Sequence, residues 1–460
     1  MNFALTRRLV ILIAAILIVA PIGIIAWQSF LDAPFFDAKA KLSLWAYGFV
    51  FAEKDFWQAL ATTAGLAVGM TAIAVPLGAL LAFLFTRTDL PGRSWAEPLL
   101  LVPIFLSPLV LAFGYIVAVG PVGFLTIWHR SALGEPWWDI YSFASLIIIA
   151  GVTHAPHVYL YAASALRSLP GDLEEAARVT GAKPLRVARD VSIPMVSPAL
   201  LFAGVLIFFL GFEVFGLPLI LGAPQGRLVL STYLYKLTNK LGAPSYQLMA
   251  VVVMVILAIA VPLVFMQRYL LRSAQRFVAV RGKATRTNIV RLGALRWPAF
   301  VLVAAWFVFT VVIPMFGLIL RSFVSSWGIG IQLSQVLTLD NYRELFADNE
   351  VVHAIVNTIL IGTIGGALSV AAYTMVAFAQ HRWKSGWTRM LDYMVMLPRA
   401  MPGIVAGLAI FWIFLFVQPI APLRTTLFSV WIAYTLGWRA YGLRRVQSCL
   451  VQGAPELEEA

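Results

Sequence analysis

The densest set of residues with chemistry to offer lies between two apolar runs: Leu169-Pro170-Gly171-Asp172-Leu173-Glu174-Glu175-Ala176-Ala177-Arg178-Val179-Thr180-Gly181-Ala182-Lys183, continuing to Val191-Ser192-Ile193-Pro194. That chemistry is recognition, not bond-breaking. Glu-Glu-Ala-Ala-Arg combines strong helix formers with acidic residues at an expected helix start, just after Pro170-Gly171-Asp172. Gly181 suits the left-handed residue that stops such a helix. The pattern predicts a short helix, a glycine turn and a second segment with Lys183, Arg186 and Arg189, together a compact knob.

Elsewhere the sequence is poor in reactive constellations. No Gly-x-x-x-x-Gly-Lys-Ser/Thr phosphate loop occurs, and Gly282-Lys283-Ala284 fails that pattern on both sides, so the chain does not hydrolyse ATP by itself. No Ser/His/Asp, Cys/His or clustered-carboxylate arrangement suggests an enzyme, and no cofactor is called for. His154 and His157, three apart, could share a helix face; without a carboxylate they read as packing or cavity residues sooner than as metal ligands. Cys449 is the only cysteine, which leaves neither a disulfide framework nor a thiolate metal cluster.

Two ionisable residues inside apolar runs need a reason, since a charge in hydrocarbon costs at least ~2.5 kcal/mol. Glu213 sits in Phe212-Glu213-Val214-Phe215-Gly216-Leu217-Pro218, beyond the midplane of its run toward the outside; Arg399 sits in Leu397-Pro398-Arg399-Ala400, nearer the inside. Both could line a path for substrate. Equally, Glu213 could be a buried neutral acid paired to a hydroxyl, and Arg399, with more reason, could snorkel to the boundary.

The elements that position these residues must lie in lipid. Of 460 residues, 61% are hydrophobic and 12% charged, too little polar surface for any water-soluble fold. Crossing about 30 Å of hydrocarbon takes roughly 20 apolar residues as a helix. Ten runs suffice: 9–27, 59–85, 99–119, 141–163, 199–221, 247–266, 298–320, 351–379, 391–417 and 425–443. The net charge of +13 does not mark a nucleic-acid binder. With the N-terminus cytoplasmic, Lys and Arg gather on the inside while Asp and Glu divide evenly, as the positive-inside rule expects. The densest basic stretch, Arg268 to Arg296, would lie against anionic lipid headgroups. Thr6-Arg7-Arg8-Leu9 mimics a twin-arginine export signal, but the apolar run behind it has an internal counterpart.

That counterpart belongs to a repeat. Pro21 and Ser29-Phe30 match Pro314 and Ser322-Phe323, and Ala59, Thr63, Ala82-Phe83, Arg87 and Pro103 match Ala354, Thr358, Ala377-Phe378, Arg382 and Pro398 in near-constant register. After a shorter outer loop, Ser145 matches Ser429 and Glu174-Glu175-Ala176 matches Glu458-Glu459-Ala460. Six spans separate each pair, so the halves are parallel, in contrast to the inverted repeats of many secondary transporters. The expected division is a first half over 1–275, a basic cytoplasmic linker over 276–297 and a second half over 298–460. Completing the second repeat would take about 95 further residues and two more spans, making roughly 555 residues and twelve spans.

The segment 170–194 resembles the EAA loop of binding-protein-dependent ABC importer permeases: Glu-Ala-Ala, three residues, Gly, nine residues, then Ile-x-Leu-Pro, here Glu175-Ala176-Ala177, Gly181 and Val191-Ser192-Ile193-Pro194. The resemblance implies an all-α polytopic membrane protein of two fused permease halves in the bacterial inner membrane. It implies two cytoplasmic ATPase subunits and a periplasmic substrate-binding protein as partners. On that analogy Glu174, Glu175, Ala176, Ala177, Gly181, Ile193 and Pro194, with Glu458, Glu459 and Ala460 in the second half, contact the ATPase. Small alanines would admit a close helix approach and a glutamate would pair with a basic group. The outer loops 120–140 and 222–246 would meet the binding protein. The fused layout most resembles iron(III) permeases, and Phe-Gly-Leu-Pro after Glu213 also resembles thiamine and phosphonate permeases; polyamine import is open too. An ion-driven secondary transporter or channel is the rival, and it would call for more ionisable residues in the spans and no docking motif.

Overall fold

A helix that is apolar all round has no face to turn to water, and in lipid its backbone groups must be satisfied within the helix. The computed structural model follows that rule; it describes residues 3–168, 175–177, 179–182, 184–239, 245–274, 289–380 and 403–452. The helices used below are α1 (Phe3–Ser29), α2 (Lys54–Arg87), α3 (Arg93–Leu100), α4 (Pro108–Val119), α5 (Phe124–Leu133), α6 (Phe143–Ser168), α7 (Ile193–Glu213), α8 (Leu230–Asn239) and α9 (Tyr246–Ala274). They continue with α10 (Arg296–Phe307), α11 (Ile313–Ser322), α12 (Asn349–Leu360), α13 (Gly366–Gln380), α14 (Gly403–Phe416) and α15 (Leu427–Gln452). Single π turns, Val308–Val312 and Ile361–Gly365, join α10 to α11 and α12 to α13.

Seven helical stretches among the described residues are long and apolar enough to cross a membrane, so the protein is an all-α, multi-pass membrane protein. Three isolated bridges are the extent of β-pairing among the described residues. The expected run 391–417 falls partly outside the described residues.

The chain divides into two compact units, and each takes segments from both sides of the basic linker. One unit comprises Asp55–Tyr233 and Pro262–Asn341. Its core gathers Leu66, Met70, Ala74, Tyr115, Ile149, Ile207 and Leu217 from α2, α4, α6, α7 and the turn beyond α7. The joined helix α10–α11 belongs to this unit and packs along α4. The approach is close: a Cβ built on Gly114 would stand 2.5 Å from the Pro314 carbonyl oxygen, so only glycine fits there. Beside it Tyr115 donates its hydroxyl to the Phe309 carbonyl at 2.8 Å, where the π turn interrupts the helical ladder and changes which carbonyls are taken. The Trp306 indole donates to the Val152 carbonyl of α6 at 3.1 Å.

The other unit comprises Met1–Lys54, Leu234–Val261 and Tyr342–Ala460. Here α1 lies against α13 and α14, with Ile11, Ala377, Ala379 and Leu443 in the core. Lipid tails supply no hydrophobic drive between helices, so polar ties do more of the specifying. Tyr373 donates to the Thr435 carbonyl at 2.6 Å, Ser369 meets the Thr435 hydroxyl at 2.7 Å, and the Trp431 indole donates to the Gly365 carbonyl at 2.8 Å. Both units draw on segments from either side of 276–297: α1 and α10–α11, the first helices of the two expected halves, each pack with helices from the other side of it.

Candidate docking site

The knob begins where α6 ends at Ser168 and finishes where α7 begins at Ile193. Glu175, Ala176 and Ala177 are helical, with Glu175 and Ala176 exposed. The helix stops in a Schellman arrangement: Ala182 donates its backbone N–H to the Ala177 carbonyl at 3.1 Å, and Thr180 caps the same carbonyl with its hydroxyl at 2.8 Å. Gly181 supplies the left-handed residue this turn requires, at φ +85°. Nothing lies within 4 Å of a Cβ added there, so the demand for glycine is conformational and not steric.

Past the turn, Pro184–Val187 forms one helical turn and Ala188–Ser192 a π turn that runs directly into α7. Val187 is buried and anchors the return of the loop, whereas Ile193 (56% exposed) and Pro194 stay at the surface. The sequence-marked residues Glu175, Ala176, Ala177, Gly181, Ile193 and Pro194 therefore belong to one continuous loop and are largely accessible. Glu174, Arg399, Glu458, Glu459 and Ala460, marked on the same analogy or as path residues, lie outside the described residues.

The foot of the loop is held by residues to which the sequence assigned no such role. The Glu97 carboxylate of α3 accepts a hydrogen bond from the Tyr159 hydroxyl at 2.6 Å and is paired with the guanidinium of Arg167, both on α6. Burial pushes the Glu97 carboxyl up, but the hydrogen bonds from Tyr159 and Arg167, with the charges of Arg167 and Arg93, outweigh it and hold the group below the usual carboxylate value. One residue earlier on α6, the Leu166 carbonyl accepts from the Arg87 guanidinium at 2.7 Å, and Arg87 is 2% exposed. The turn after α2 is in turn stitched to the end of the basic linker: Val290 donates its N–H to the Arg87 carbonyl at 2.8 Å and Leu292 donates to the Asp89 carboxylate at 2.8 Å. The signal that could have found this group was position: Arg87, Glu97 and Arg167 each stand within a few residues of the end of an apolar run.

Glu213 is the last residue of α7, roughly 30 Å of helix from Ile193. The expected run 199–221 is thus broken: Val214 turns extended at ψ 120°, and a π turn follows at Pro218–Gly222. The Ser231 hydroxyl holds the break by donating to the Val214 carbonyl at 2.8 Å, and the preceding residue, Leu230, is anchored by its N–H to the buried Thr63 hydroxyl of α2 at 2.8 Å. Glu213 itself is partly buried there.

A further charge was missed inside the run 425–443. Arg439 belongs to α15, is 9% exposed, and donates to the Leu436 carbonyl of its own helix. The helix continuing to Gln452 carries it within the packed interior. His154 and His157 stack with ring centroids 5.4 Å apart, and His154 Nδ1 donates to the Ala150 carbonyl at 2.8 Å. Among the described residues no three His, Cys, Asp or Glu come together as a metal site.

Residues 74–276, which contain the loop and its foot, match the family model for the binding-protein-dependent transport system inner membrane component. The chain is similar to a ferric transport system permease protein of Actinobacillus pleuropneumoniae, 24% identical over 330 residues, 70% of this chain and 46% of that protein. It is similar to a probable ABC transporter permease protein of Sinorhizobium fredii, 25% identical over 427 residues, 88% of this chain and 70% of that protein. It is also similar to a molybdenum transport system permease protein of Escherichia coli, 27% identical over 166 residues, 35% of this chain and 69% of that protein. The chain spans about half the length of the ferric relatives it matches, 46% and 50%.

Proposed function

We propose, from the membership of residues 74–276 in the family of binding-protein-dependent transport inner-membrane components, that the chain is the membrane-spanning permease of an ATP-driven importer. The observation that carries the reading is the helical Glu175-Ala176-Ala177 segment, exposed at Glu175 and Ala176, ended by a left-handed Gly181 and set between two long apolar helices. A surface helix of small residues with a fixed stop is a shape that a groove on another protein can grip.

In this reading the N-terminus and the loop are cytoplasmic and the loop docks on an ATPase subunit, with a second ATPase served by the matching Glu458-Glu459-Ala460. The halves over 1–275 and 298–460 are parallel permease repeats joined by the basic linker. A periplasmic binding protein delivers substrate to the loops 120–140 and 222–246, the first of which carries the short helix α5. Alternation between outward-open and inward-open states then moves substrate as the ATPases close and open. Glu213, at the broken end of α7, and Arg399 line the path. The substrate is iron(III), supported by the similarity to ferric permeases; the molybdenum permease among the relatives makes oxyanions the comparison to run beside it.

Purification of the chain from native membranes tests this: an ATPase should co-purify, and vesicles holding both should take up iron(III) only with ATP and a binding protein present. Uptake that persists in vesicles free of any ATPase, driven by an ion gradient, would overturn it.

A further inference from the structure

The foot of the loop has a feature that docking alone does not require. A loop that transmits a push needs a rigid base; otherwise the last turn of α6, which fraying would loosen first, absorbs the movement. Here that last turn is tied from two sides, by Arg87 to the Leu166 carbonyl and by Glu97 to Arg167. Glu97 also takes the Tyr159 hydroxyl, about two helical turns before Arg167, so a single carboxylate spans the end of α6. Through Arg93, which reaches the Thr88 carbonyl at 3.4 Å, and through Asp89 and Leu292, the same cluster is continuous with the turn after α2 and with the chain entering α10.

We propose that Glu97 is a positioning residue for the coupling loop: its carboxylate, held by Tyr159 and Arg167, fixes the α6 terminus so that movement of the loop passes into α3. This rests on the reading of the loop as the ATPase dock. In the repeat register Glu97 corresponds to Asp392, Tyr159 to Leu443 and Arg167 to Val451, so of the three residue types only the acid recurs in the second half of the sequence.

The test uses the full chain with Cys449→Ser, spin labels at Ser94 and Ala176, and nanodiscs. The wild-type distance distribution should be narrow. It should at least double in width in Glu97→Ala and in Arg167→Ala, stay narrow in the control Arg130→Ala, which removes the exposed pair with Glu135 instead, and narrow again in the exchanged pair Glu97→Arg with Arg167→Glu. An unchanged width in both single variants, or no recovery in the exchanged pair, would overturn the proposal. If Glu97→Ala does not extract as folded protein, Tyr159→Phe removes one hydrogen bond at constant volume and should broaden the distribution by a smaller factor; no broadening there counts against the proposal. With a co-purified ATPase, ATP consumed per substrate imported should rise several-fold in Glu97→Ala and return in the exchanged pair. Absence of any ATPase would sink the docking reading, while the distance widths would still judge the tie.

Discussion

Ala182 donates its backbone N–H to the carbonyl of Ala177 at 3.1 Å, closing a turn that only a left-handed residue between them allows. Because the space around Gly181 is open, substitutions there separate backbone strain from steric clash. Forcing a branched side chain to φ +85° costs about 1–2 kcal/mol and reopens the stop. Gly181→Val should abolish uptake with normal membrane insertion, Gly181→Asn should keep most of it, and Gly181→Ala should fall between. Wild-type transport by the valine variant, measured as initial uptake rate at matched expression, would remove the turn from the mechanism.

Orientation is tested at the linker. Val290 and Leu292 are bonded to the turn after α2, so the end of the linker and the docking loop's foot share one side of the membrane. Single cysteines placed between Arg268 and Arg296 in a Cys449→Ser background should resist membrane-impermeant thiol reagents in intact cells and react after permeabilisation. Rapid labelling from outside would invert the whole topology.

The close crossing of α4 and α11 gives a stability prediction. A Cβ at Gly114 meets backbone, the Pro314 carbonyl, and backbone cannot rotate away as a side chain can. Gly114→Val should push the helices apart, break the Tyr115–Phe309 hydrogen bond and destabilise by about 1–3 kcal/mol. Thermal unfolding of the detergent-solubilised protein reads this as a clear drop in midpoint; an unchanged midpoint would mean that the crossing gives way easily.

Acid should loosen the α6 terminus. The folded Glu97 carboxyl lies below its unfolded value of 4.5, so the tie is fully present above that value and is lost as pH falls through the lower, folded one. The groups facing it are Arg93 on its own helix and Tyr159 and Arg167 on α6, and the two arginines remain charged throughout. Between pH 8 and 5.5 the Ser94–Ala176 distance width should be flat; below pH 4 it should broaden, and Glu97→Gln should remove the pH dependence. A transition near pH 6.5 would point to a histidine instead.

Much of this molecule was legible because lipid simplifies the code. Apolar length alone marks α2 or α6, and the spacing from Glu175 to Gly181 sets a helix and its stop by local rules. What escaped was nonlocal. Gly114 opposite Pro314 and Tyr115 opposite Phe309 become partners only when α10–α11 packs against α4, far away in sequence. Glu97 and Arg167 look like ordinary charges flanking spans until α3 and α6 are placed side by side. Glu213 was visible as a charge in an apolar run, yet the break in α7 beneath it depends on Ser231 and Thr63, which no pattern around Glu213 reveals.

Arg439 supplies the last prediction. A guanidinium 9% exposed inside an apolar helix keeps its charge, and Nε has no hydrogen-bond partner among the described residues. The hydrogen bond to Leu436 of its own helix does not repay the desolvation of a buried charge. Tyr373, whose ring lies over Gly442, is the neighbouring aromatic, but its hydroxyl is already committed to Thr435. A residue kept at such a cost for packing alone would be improved by an apolar side chain of similar length. Arg439→Met should therefore unfold at the same temperature or higher than wild type, since burial of a charge is relieved and volume is kept. If the charge serves transport, the same variant should lose uptake by ten-fold or more, with Arg439→Lys recovering part of it. A variant that is both less stable and inactive would instead make Arg439 a structural residue, held by contacts stronger than the hydrogen bond to Leu436.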